Sequence, residues 1–185
     1  MKIHKQFVDN FGGKTLVYKT EKNTWIKTTN KIKNPEKFID EYSKFKTFYE
    51  LGPKIIDYSV ESNEDVEVGM NNWPIFTFEM TNIEGDIFGN VYDEIDVSRR
   101  MFYYGKIYSE IIFSFYEYSK LQSNGMIYFH GDLKPGNLFI KGDEINFIDI
   151  DSFSWYKPTT VINLINRIQS DFSYWINLNL EDYVL

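Results

Sequence analysis

The chain has 185 residues, of which 43% are hydrophobic and 18% aromatic, and this composition excludes an intrinsically disordered protein. Its formal net charge of -7 at pH 7 disfavours contact with the phosphates of nucleic acids, so we expect no nucleic-acid partner. The absence of cysteine excludes disulfides and thiolate metal sites, and no apolar run approaches the roughly 20 residues of a membrane-spanning helix, so we expect a cytoplasmic protein without a membrane partner.

The first thirty residues predict a meander of three antiparallel strands. Residues 6–11 and 14–19 are the first two, separated by Gly12 and Gly13, and glycine adopts the positive φ values of a tight turn without steric cost. Residues 24–29 are rich in β-branched and aromatic side chains, which favours a third strand.

A helix is predicted at residues 35–51. Asn34 is a candidate N-cap, and Pro35 suits the first helical position because its backbone nitrogen carries no hydrogen. Gly52 and Pro53 are expected to end the helix. Its apolar stripe recurs at spacings of three and four residues, at Phe38, Tyr42, Phe45 and Tyr49.

Two strands and the longest helix are predicted in the middle of the chain. The strands lie at residues 54–60 and 73–80, on either side of a polar loop. The helix is clearest at residues 96–122, and Asn124 and Gly125 are expected to stop it.

The last part of the chain predicts a short apolar strand, a hairpin and a helix. The strand is at residues 127–129. The hairpin joins residues 138–140 to residues 145–148 through a Gly-Asp turn. The final helix is predicted at residues 158–175.

The order of these elements predicts an α+β fold with two lobes in a single domain. Antiparallel strands dominate the first part of the chain and helices the second. We therefore expect an N-terminal lobe at residues 1–84, built on an antiparallel sheet, and a mostly helical C-terminal lobe at residues 85–185.

A short polar segment, residues 130–137, follows the strand at 127–129. Pro135 and Gly136 interrupt regular helix and strand structure, so the polar side chains of the segment are expected on a loop. These side chains are His130, Asp132, Lys134 and Asn137.

The hairpin after this loop would bring Asp149, at the end of the second strand, back towards Asn137. A carboxylate and an amide oxygen suit Mg²⁺ together with substrate phosphates. Asp132 can accept a proton from a hydroxyl group, and Lys134 can place a positive charge on a transferring phosphoryl group. Each residue taken singly is more often a turn or surface residue, and only the combination indicates a site.

The segment from His130 to Asn137 resembles the catalytic loop of protein kinases, His-Arg-Asp-Leu-Lys-x-x-Asn, with Gly131 in place of the arginine. The resemblance implies ATP and Mg²⁺ as cofactors, with Asp132 as the catalytic base. It also implies that Asn137 and Asp149 are metal ligands, Asp149 beginning the counterpart of the kinase Asp-Phe-Gly motif. His130 is expected to support the loop by packing and hydrogen bonding.

The same resemblance implies that Lys27, on the third strand, binds the phosphates of the nucleotide. A lysine at this position is otherwise explained as an exposed strand residue. Glu41, on the helix that follows, is the candidate partner of Lys27, with Glu36 as the alternative. Asp171, in the last helix, is a candidate brace for the catalytic loop or a simple surface charge.

Two further nucleotide contacts follow from the resemblance. Gly12 and Gly13 lie where kinases have a glycine-rich flap over the phosphates, although a plain hairpin turn explains them equally well. Glu79, Met80 and Thr81 are placed after the fifth strand, like the kinase hinge whose backbone reads adenine.

The chain departs from ordinary protein kinases after Asp151, where 34 residues remain and no Ala-Pro-Glu motif occurs, because the chain contains no alanine. We expect no activation segment and no peptide platform of the ordinary kind. This reduced plan is similar to RIO-type and other minimal atypical kinases. It is also similar to small phage- or virus-encoded kinases, for which the location would be the host cytoplasm.

Three functional hypotheses remain open. The leading one is an Mg²⁺- and ATP-dependent kinase that phosphorylates a hydroxyl, most favourably of a protein serine or threonine, because Lys134 is placed as in Ser/Thr protein kinases and is usually lacking in aminoglycoside and choline kinases. The missing peptide platform favours a kinase of a sugar or another small molecule. The short flap and C-terminal lobe favour a catalytically silent pseudokinase or binding module, which the joint presence of Lys27, Asp132, Asn137 and Asp149 opposes.

Overall fold

A computed structural model of the chain describes residues 4–10, 13–61, 73–121 and 125–177, with side chains for residues 15–61, 73–121 and 125–170. The chain divides into two compact units between Asn82 and Ile83, two residues before the boundary expected from the sequence.

The first unit contains a five-stranded sheet in which every neighbouring pair of strands is antiparallel. The predicted meander and the two later strands are confirmed, with bounds shifted by up to two residues. The strands are β1 (His4–Asn10), β2 (Gly13–Lys19), β3 (Thr24–Thr29), β4 (Ile55–Glu61) and β5 (Ile75–Thr81), in the spatial order β1-β2-β3-β5-β4.

Helix α1 (Pro35–Phe48) begins where the sequence predicts, because the side chain of Asn34 accepts a hydrogen bond of 3.0 Å from the backbone N–H of Lys37. It ends at Phe48, earlier than the predicted residue 51, because Tyr49 is already extended, with φ -134° and ψ 130°. The ammonium group of Lys46 donates to the carbonyl oxygens of Leu51 and Gly52, at 3.1 and 2.8 Å, and so satisfies acceptors beyond the helix end.

The core of the first unit lies between α1 and one face of the sheet. Phe76 and Phe78 alternate with less buried residues along β5, and both are fully buried. The ring of Phe38 on α1 lies 5.9 Å from that of Phe76 and 6.3 Å from that of Phe78. The hydroxyl of buried Tyr42 donates to the carbonyl oxygen of Pro53 at 2.7 Å, which ties α1 to the start of β4.

The second unit contains two small antiparallel sheets. Strand β6 (Asp86–Ile87) pairs with β8 (Leu138–Lys141), which forms the predicted hairpin with β9 (Glu144–Phe147). Strand β7 (Ile127–His130) pairs with β10 (Phe153–Tyr156). The short strands β6 and β10 are not predicted from the sequence.

The predicted long helix of the second unit is one run of helical residues with an irregular centre. A short helix α2 (Phe88–Val91) precedes it. The run comprises α3 (Val97–Lys106), a π-helical segment (Ile107–Ile112) and α4 (Phe113–Lys120), and α3 is capped by the carboxylate of Asp96. Helix α5 (Pro158–Asn177) confirms the final predicted helix.

The core of the second unit is aromatic. The fully buried ring of Phe115 on α4 packs edge to face against three rings, with centroid distances of 5.2 to 5.7 Å. Those three rings are Phe129, Phe147 and Phe153. One helix therefore covers strands from both small sheets and fixes the ends of β7 and β9, where the polar motif lies.

The α+β fold class is confirmed, with an antiparallel sheet in the first unit and most of the helices in the second. Within the described parts of the chain, no helix combines the length and the apolar character that crossing a bilayer requires.

Candidate active site

Residues 131–137 of the polar segment form a loop between β7 and β8 that closes with a single 3₁₀ turn, Pro135–Asn137. Proline suits the start of this turn because it has no N–H to satisfy, and the backbone N–H of Asn137 donates to the carbonyl oxygen of Lys134 at 2.8 Å. The expectation that the polar residues lie between strands is confirmed for Asp132, Lys134 and Asn137, whereas His130 is the last residue of β7.

His130 is fully buried at the end of β7 and links the loop to the chain before Asp149. Its Nδ1 atom accepts a hydrogen bond of 3.2 Å from the backbone N–H of Asp132, so the ring hydrogen is assigned to Nε2. Nε2 then donates to the carbonyl oxygen of Ile148 at 2.8 Å. The histidine is therefore a neutral bridge within the site, which is the supporting role that the sequence indicates.

The carboxylate of Asp132 is one-third exposed and has three donors around it. Its Oδ2 atom accepts from Nζ of Lys134 at 2.8 Å and from Nδ2 of Asn137 at 3.1 Å. Its Oδ1 atom faces Nη2 of Arg167 at 3.3 Å. The carboxylate is thus positioned by its neighbours while about a third of the side chain remains exposed.

Asn137 is 8% exposed and holds the loop together through its side-chain nitrogen. This nitrogen donates to the backbone carbonyl of Asp132 at 2.7 Å as well as to the carboxylate. Because Nδ2 is used within the loop, the side-chain oxygen of Asn137 is the atom that can serve a cation.

The predicted return of the hairpin towards Asn137 is confirmed by a backbone hydrogen bond. The N–H of Ile148 donates to the carbonyl oxygen of Asn137 at 2.9 Å, beyond the last ladder pair, Leu138 with Phe147. Asp149 is therefore the next residue along a chain already bound to the loop.

Asp149 has a left-handed backbone, with φ 63° and ψ 45°. Aspartate tolerates this region better than most residues, but the conformation is uncommon outside glycine. Such strained positions cluster at functional sites, where the surrounding structure enforces them. Asp149 begins a 3₁₀ turn, and its carbonyl oxygen accepts from Oγ of Ser152 at 3.1 Å.

Gly131 is required by close packing with the segment after Asp149. A Cβ atom at this position would collide with the hydroxyl oxygen of Tyr156 and would lie 3.0 Å from the carbonyl oxygen of Ser152. That carbonyl accepts both the backbone N–H of Gly131 and the hydroxyl of Tyr156, each at 3.1 Å. Burial raises the pKa of the Tyr156 hydroxyl, so it stays a neutral donor.

The sequence does not identify Ser152, Tyr156 or Arg167 as parts of this site. Ser152 and Tyr156 reach the loop because β10 pairs with β7, with Phe153 opposite His130. Arg167 reaches it from α5. No local motif marks these residues, since each contact depends on pairing between distant segments. The side chain of Asp171, the predicted brace, lies outside the described side chains.

Lys27 lies in the centre of the first unit's sheet and is only 4% exposed. The interpretation of Lys27 as an exposed strand lysine is therefore wrong. It is opposite Phe78 on β5, so its side chain belongs to the face of the sheet that α1 covers. On α1, Glu41 is half-buried and adjoins the apolar stripe, whereas Glu36 is exposed, which favours Glu41 of the two candidates.

The placement of Glu79, Met80 and Thr81 after the fifth strand is wrong, because β5 extends to Thr81. The backbone N–H of Thr81 donates to the carbonyl oxygen of Lys54 at 2.8 Å, and the carboxylate of Glu79 accepts from the hydroxyl of Thr24. These groups are engaged within the first unit. A nucleotide-reading role for Glu79 and Thr81 stays an untested prediction.

The predicted glycine flap is only partly covered by the structure. Gly13 is the first residue of β2, and Gly12 lies outside the described residues. Their contact with a nucleotide stays a prediction.

Within the described residues, no group of three or more histidine and acidic side chains is arranged to hold a metal ion by itself. The donors of Asn137 and Asp149 fit Mg²⁺ chemically, since both offer hard oxygen atoms, but they form a site only if phosphate oxygens and water complete the coordination.

No protein-family model matches the chain, and no curated protein matches it in sequence. Among solved structures, the chain is similar to the medium-resolution structure of the bifunctional kinase-methyltransferase WbdD, with a TM-score of 0.50 and 15% sequence identity. The match covers 86% of this chain and 34% of that one, so this chain spans about a third of the length of its structural neighbour. A likeness at this level of identity shows a kinase-like fold.

Proposed function

We propose that the protein is an ATP- and Mg²⁺-dependent phosphotransferase that moves the γ-phosphoryl group of ATP to a hydroxyl group, most favourably of a protein serine or threonine. One observation carries the proposal: the loop around Asp132 and Asn137 is bound to Ile148, the residue directly before Asp149. The N–H of Ile148 donates to the carbonyl of Asn137, and the carbonyl of Ile148 accepts from the ring of His130, which also accepts the N–H of Asp132. Phosphoryl transfer depends mainly on such positioning and on charge neutralisation.

The described residues have the following roles in the proposed reaction. Asp132, whose side chain is one-third exposed, orients the attacking hydroxyl and accepts its proton. Lys134, half-exposed beside it, turns its ammonium group to the transferring phosphoryl group. Asn137 and Asp149 hold Mg²⁺, which supplies charge neutralisation for the phosphates when bound. Lys27, with Glu41 as its candidate partner, binds nucleotide phosphates.

Two observations favour different acceptors for the phosphoryl group. Lys134 favours a protein hydroxyl, as in the Ser/Thr kinases that the loop resembles. A small-molecule acceptor, such as a sugar, is favoured by a different observation. After Asp149 the described chain contains only a 3₁₀ turn, β10 and α5, which leaves little structure within those residues to support an extended peptide.

The proposal is tested by incubation with Mg²⁺ and ATP labelled at the γ-phosphate, followed by measurement of ATP consumption and of the labelled products. We expect Asp132→Asn to lower the transfer rate by about 10²- to 10⁴-fold, the usual contribution of a general base. Asp143→Asn, in the exposed turn of the hairpin, is the matched control and should retain the wild-type rate.

Two outcomes would overturn the assignment. Normal transfer by Asp132→Asn would remove this residue from the chemistry. Absence of transfer, together with no rise in melting temperature on addition of ATP with or without Mg²⁺, would favour a silent pseudokinase or binding module, because a ligand of the native state must stabilise it.

A further inference from the structure

Arg167 is a cation beside Asp132 that the motif does not contain. Its helix is anchored beside it by Ile168 and by Val161, which are 2% and 4% exposed. From α5, Nη2 of Arg167 reaches the carbonyl oxygen of Gly131 at 3.4 Å and Oδ1 of Asp132 at 3.3 Å. The guanidinium therefore stands at the oxygen of Asp132 that Lys134 and Asn137 leave unused.

These two contacts are too weak to explain Arg167 as a support for the loop. Charge-assisted hydrogen bonds between arginine and a carboxylate are typically about 2.7–2.9 Å long, and the side chain of Arg167 is 50% exposed. Asp132 is already held by closer bonds, from Lys134 at 2.8 Å and from its own backbone to His130 at 3.2 Å. Exposed ion pairs of this kind add little stability.

Arg99 shows what an anchored arginine looks like in the same unit. Its Nη2 atom also binds a glycine carbonyl and the following aspartate, Gly142 and Asp143, with the carboxylate at 2.6 Å. In addition, its Nε donates to the hydroxyl of Tyr103 at 3.2 Å, and its guanidinium lies 4.9 Å from the rings of Phe102 and Tyr103. Among the described side chains, Arg167 has no such additional hydrogen bond or aromatic contact. Its Nε and Nη1 atoms donate to no acceptor among these side chains.

We propose that Arg167 binds an anionic group, a phosphate or a carboxylate, that the acceptor carries next to its reacting hydroxyl; this inference rests on the phosphotransferase function proposed above. The Nε and Nη1 donors, from which no described side chain accepts a hydrogen bond, form the planar fork that matches such groups. Lys134 faces the other oxygen of Asp132, so the two cations lie on opposite edges of the catalytic carboxylate. Lys134 serves the phosphoryl group, and Arg167 serves the acceptor.

An anionic acceptor would also release Asp132 for catalysis. In the free protein, Nη2 of Arg167 lies 3.3 Å from Oδ1 of Asp132, the oxygen that the attacking hydroxyl would approach. When the anionic group of the acceptor binds the guanidinium, Arg167 leaves Oδ1 of Asp132 and keeps a negative partner. Oδ1 is then available to the hydroxyl group of the same acceptor molecule. A neutral acceptor makes no such exchange and leaves the arginine on the carboxylate.

The activity test uses matched pairs of acceptors and labelled ATP. One pair is a serine peptide with Asp or Asn beside the serine, and the other is glycerol 3-phosphate or glycerol, so that the two pairs distinguish a peptide from a small-molecule source. For the pair of acceptors that the protein phosphorylates, we expect kcat/KM to be at least about tenfold higher for the anionic member than for the neutral one. This is a typical effect of one charged hydrogen bond. Arg167→Gln should abolish this ratio, Arg167→Lys should keep part of it, and Arg99→Gln should leave it unchanged.

Three outcomes of this test overturn the proposal. An equal loss of kcat/KM for both members of a pair in Arg167→Gln would make Arg167 a support for Asp132. A raised KM for ATP in the same variant would place Arg167 on the nucleotide. A neutral acceptor preferred by the wild type would contradict the proposal directly.

A binding test decides the matter without turnover. Inorganic phosphate is titrated into the protein without ATP, and the NMR signal of the Arg167 Nε–H, identified by its loss in Arg167→Gln, is followed. We expect a saturable shift of this signal and none of the corresponding Arg99 signal. No shift would overturn the anion site, whereas a shift in a protein that consumes no ATP would overturn the proposed function and leave the anion site standing.

Discussion

The Nε2 atom of His130 lies 2.8 Å from the carbonyl oxygen of Ile148, the residue directly before Asp149. Through Nδ1 the same ring accepts the backbone N–H of Asp132, so one buried side chain sets the spacing between the two aspartates of the site. This arrangement explains why a histidine precedes the loop, although we propose no role for it in phosphoryl transfer itself.

We expect His130→Phe to weaken Mg²⁺-dependent ATP binding. Phenylalanine keeps a ring in the aromatic cluster but satisfies neither the N–H of Asp132 nor the carbonyl of Ile148. The loss should cost about 1–3 kcal/mol in the free energy of unfolding, measured with urea. Calorimetric titration of ATP with and without Mg²⁺ would measure the effect on binding, and wild-type affinity in the variant would contradict the bridging role.

Gly131→Ala is expected to destabilise the protein by about 1–3 kcal/mol, because the added Cβ meets the hydroxyl of Tyr156 and the carbonyl of Ser152. In a Tyr156→Phe background the first collision is removed, so part of the loss should be recovered. Urea denaturation of the two single variants and the double variant measures this coupling.

Gly136→Ala is the matched control for that series. A Cβ at Gly136 would meet no atom within 4 Å, and its φ is not in the region that favours glycine. Its unfolding free energy should stay within about 0.5 kcal/mol of the wild type, as for most uncrowded substitutions. An equal loss of unfolding free energy in Gly131→Ala and Gly136→Ala would show that replacing any glycine of the loop is destabilising, and that the collision with Tyr156 is not the cause.

The elements predicted most closely from the sequence are those with local signals. The bounds of β3 agree residue for residue, and α1 begins at Pro35 because Asn34 and Pro35 act on the residues next to them. The hairpin of β8 and β9 follows from the turn at Gly142, which has a φ of 58°.

The features that the sequence does not predict depend on distant pairing. Strand β10 exists because Phe153 pairs with His130, and the contact of Arg167 with Asp132 depends on where α5 packs. Strand β5 ends at Thr81, one residue beyond the predicted end, because the N–H of Thr81 bonds to the carbonyl of Lys54, which is distant along the chain. Such contacts leave no periodic pattern in the segments that make them.

Glu41→Gln is expected to raise KM for ATP by about tenfold if Glu41 holds Lys27 for the nucleotide, since a charged hydrogen bond contributes about 1.5–3 kcal/mol. Glu36→Gln is the control, because Glu36 is an exposed residue in the first turn of the same helix. Steady-state kinetics at varied ATP concentration would separate them. An equal effect of both variants would contradict the choice of Glu41.

Tyr42 predicts how stability depends on pH in the alkaline range. Burial raises the pKa of its hydroxyl well above the ordinary value of 10.0, so the group stays neutral in the folded protein while it ionises in the unfolded chain. The unfolded state then binds fewer protons, and the free energy of unfolding falls as the pH rises above about 10. Burial also raises the pKa of Tyr156, which adds to the same trend.

Tyr42→Phe should therefore change the stability in a pH-dependent way. At pH 8 the variant loses the hydrogen bond to the carbonyl of Pro53 and should be less stable by about 0.5–1.5 kcal/mol. Above pH 10 the wild type loses stability through Tyr42 and the variant does not, so the difference between them should shrink. Urea denaturation at pH 8, 9.5 and 10.5 measures it, and a difference that stays constant or grows with pH would contradict the assignment of a buried, neutral hydroxyl.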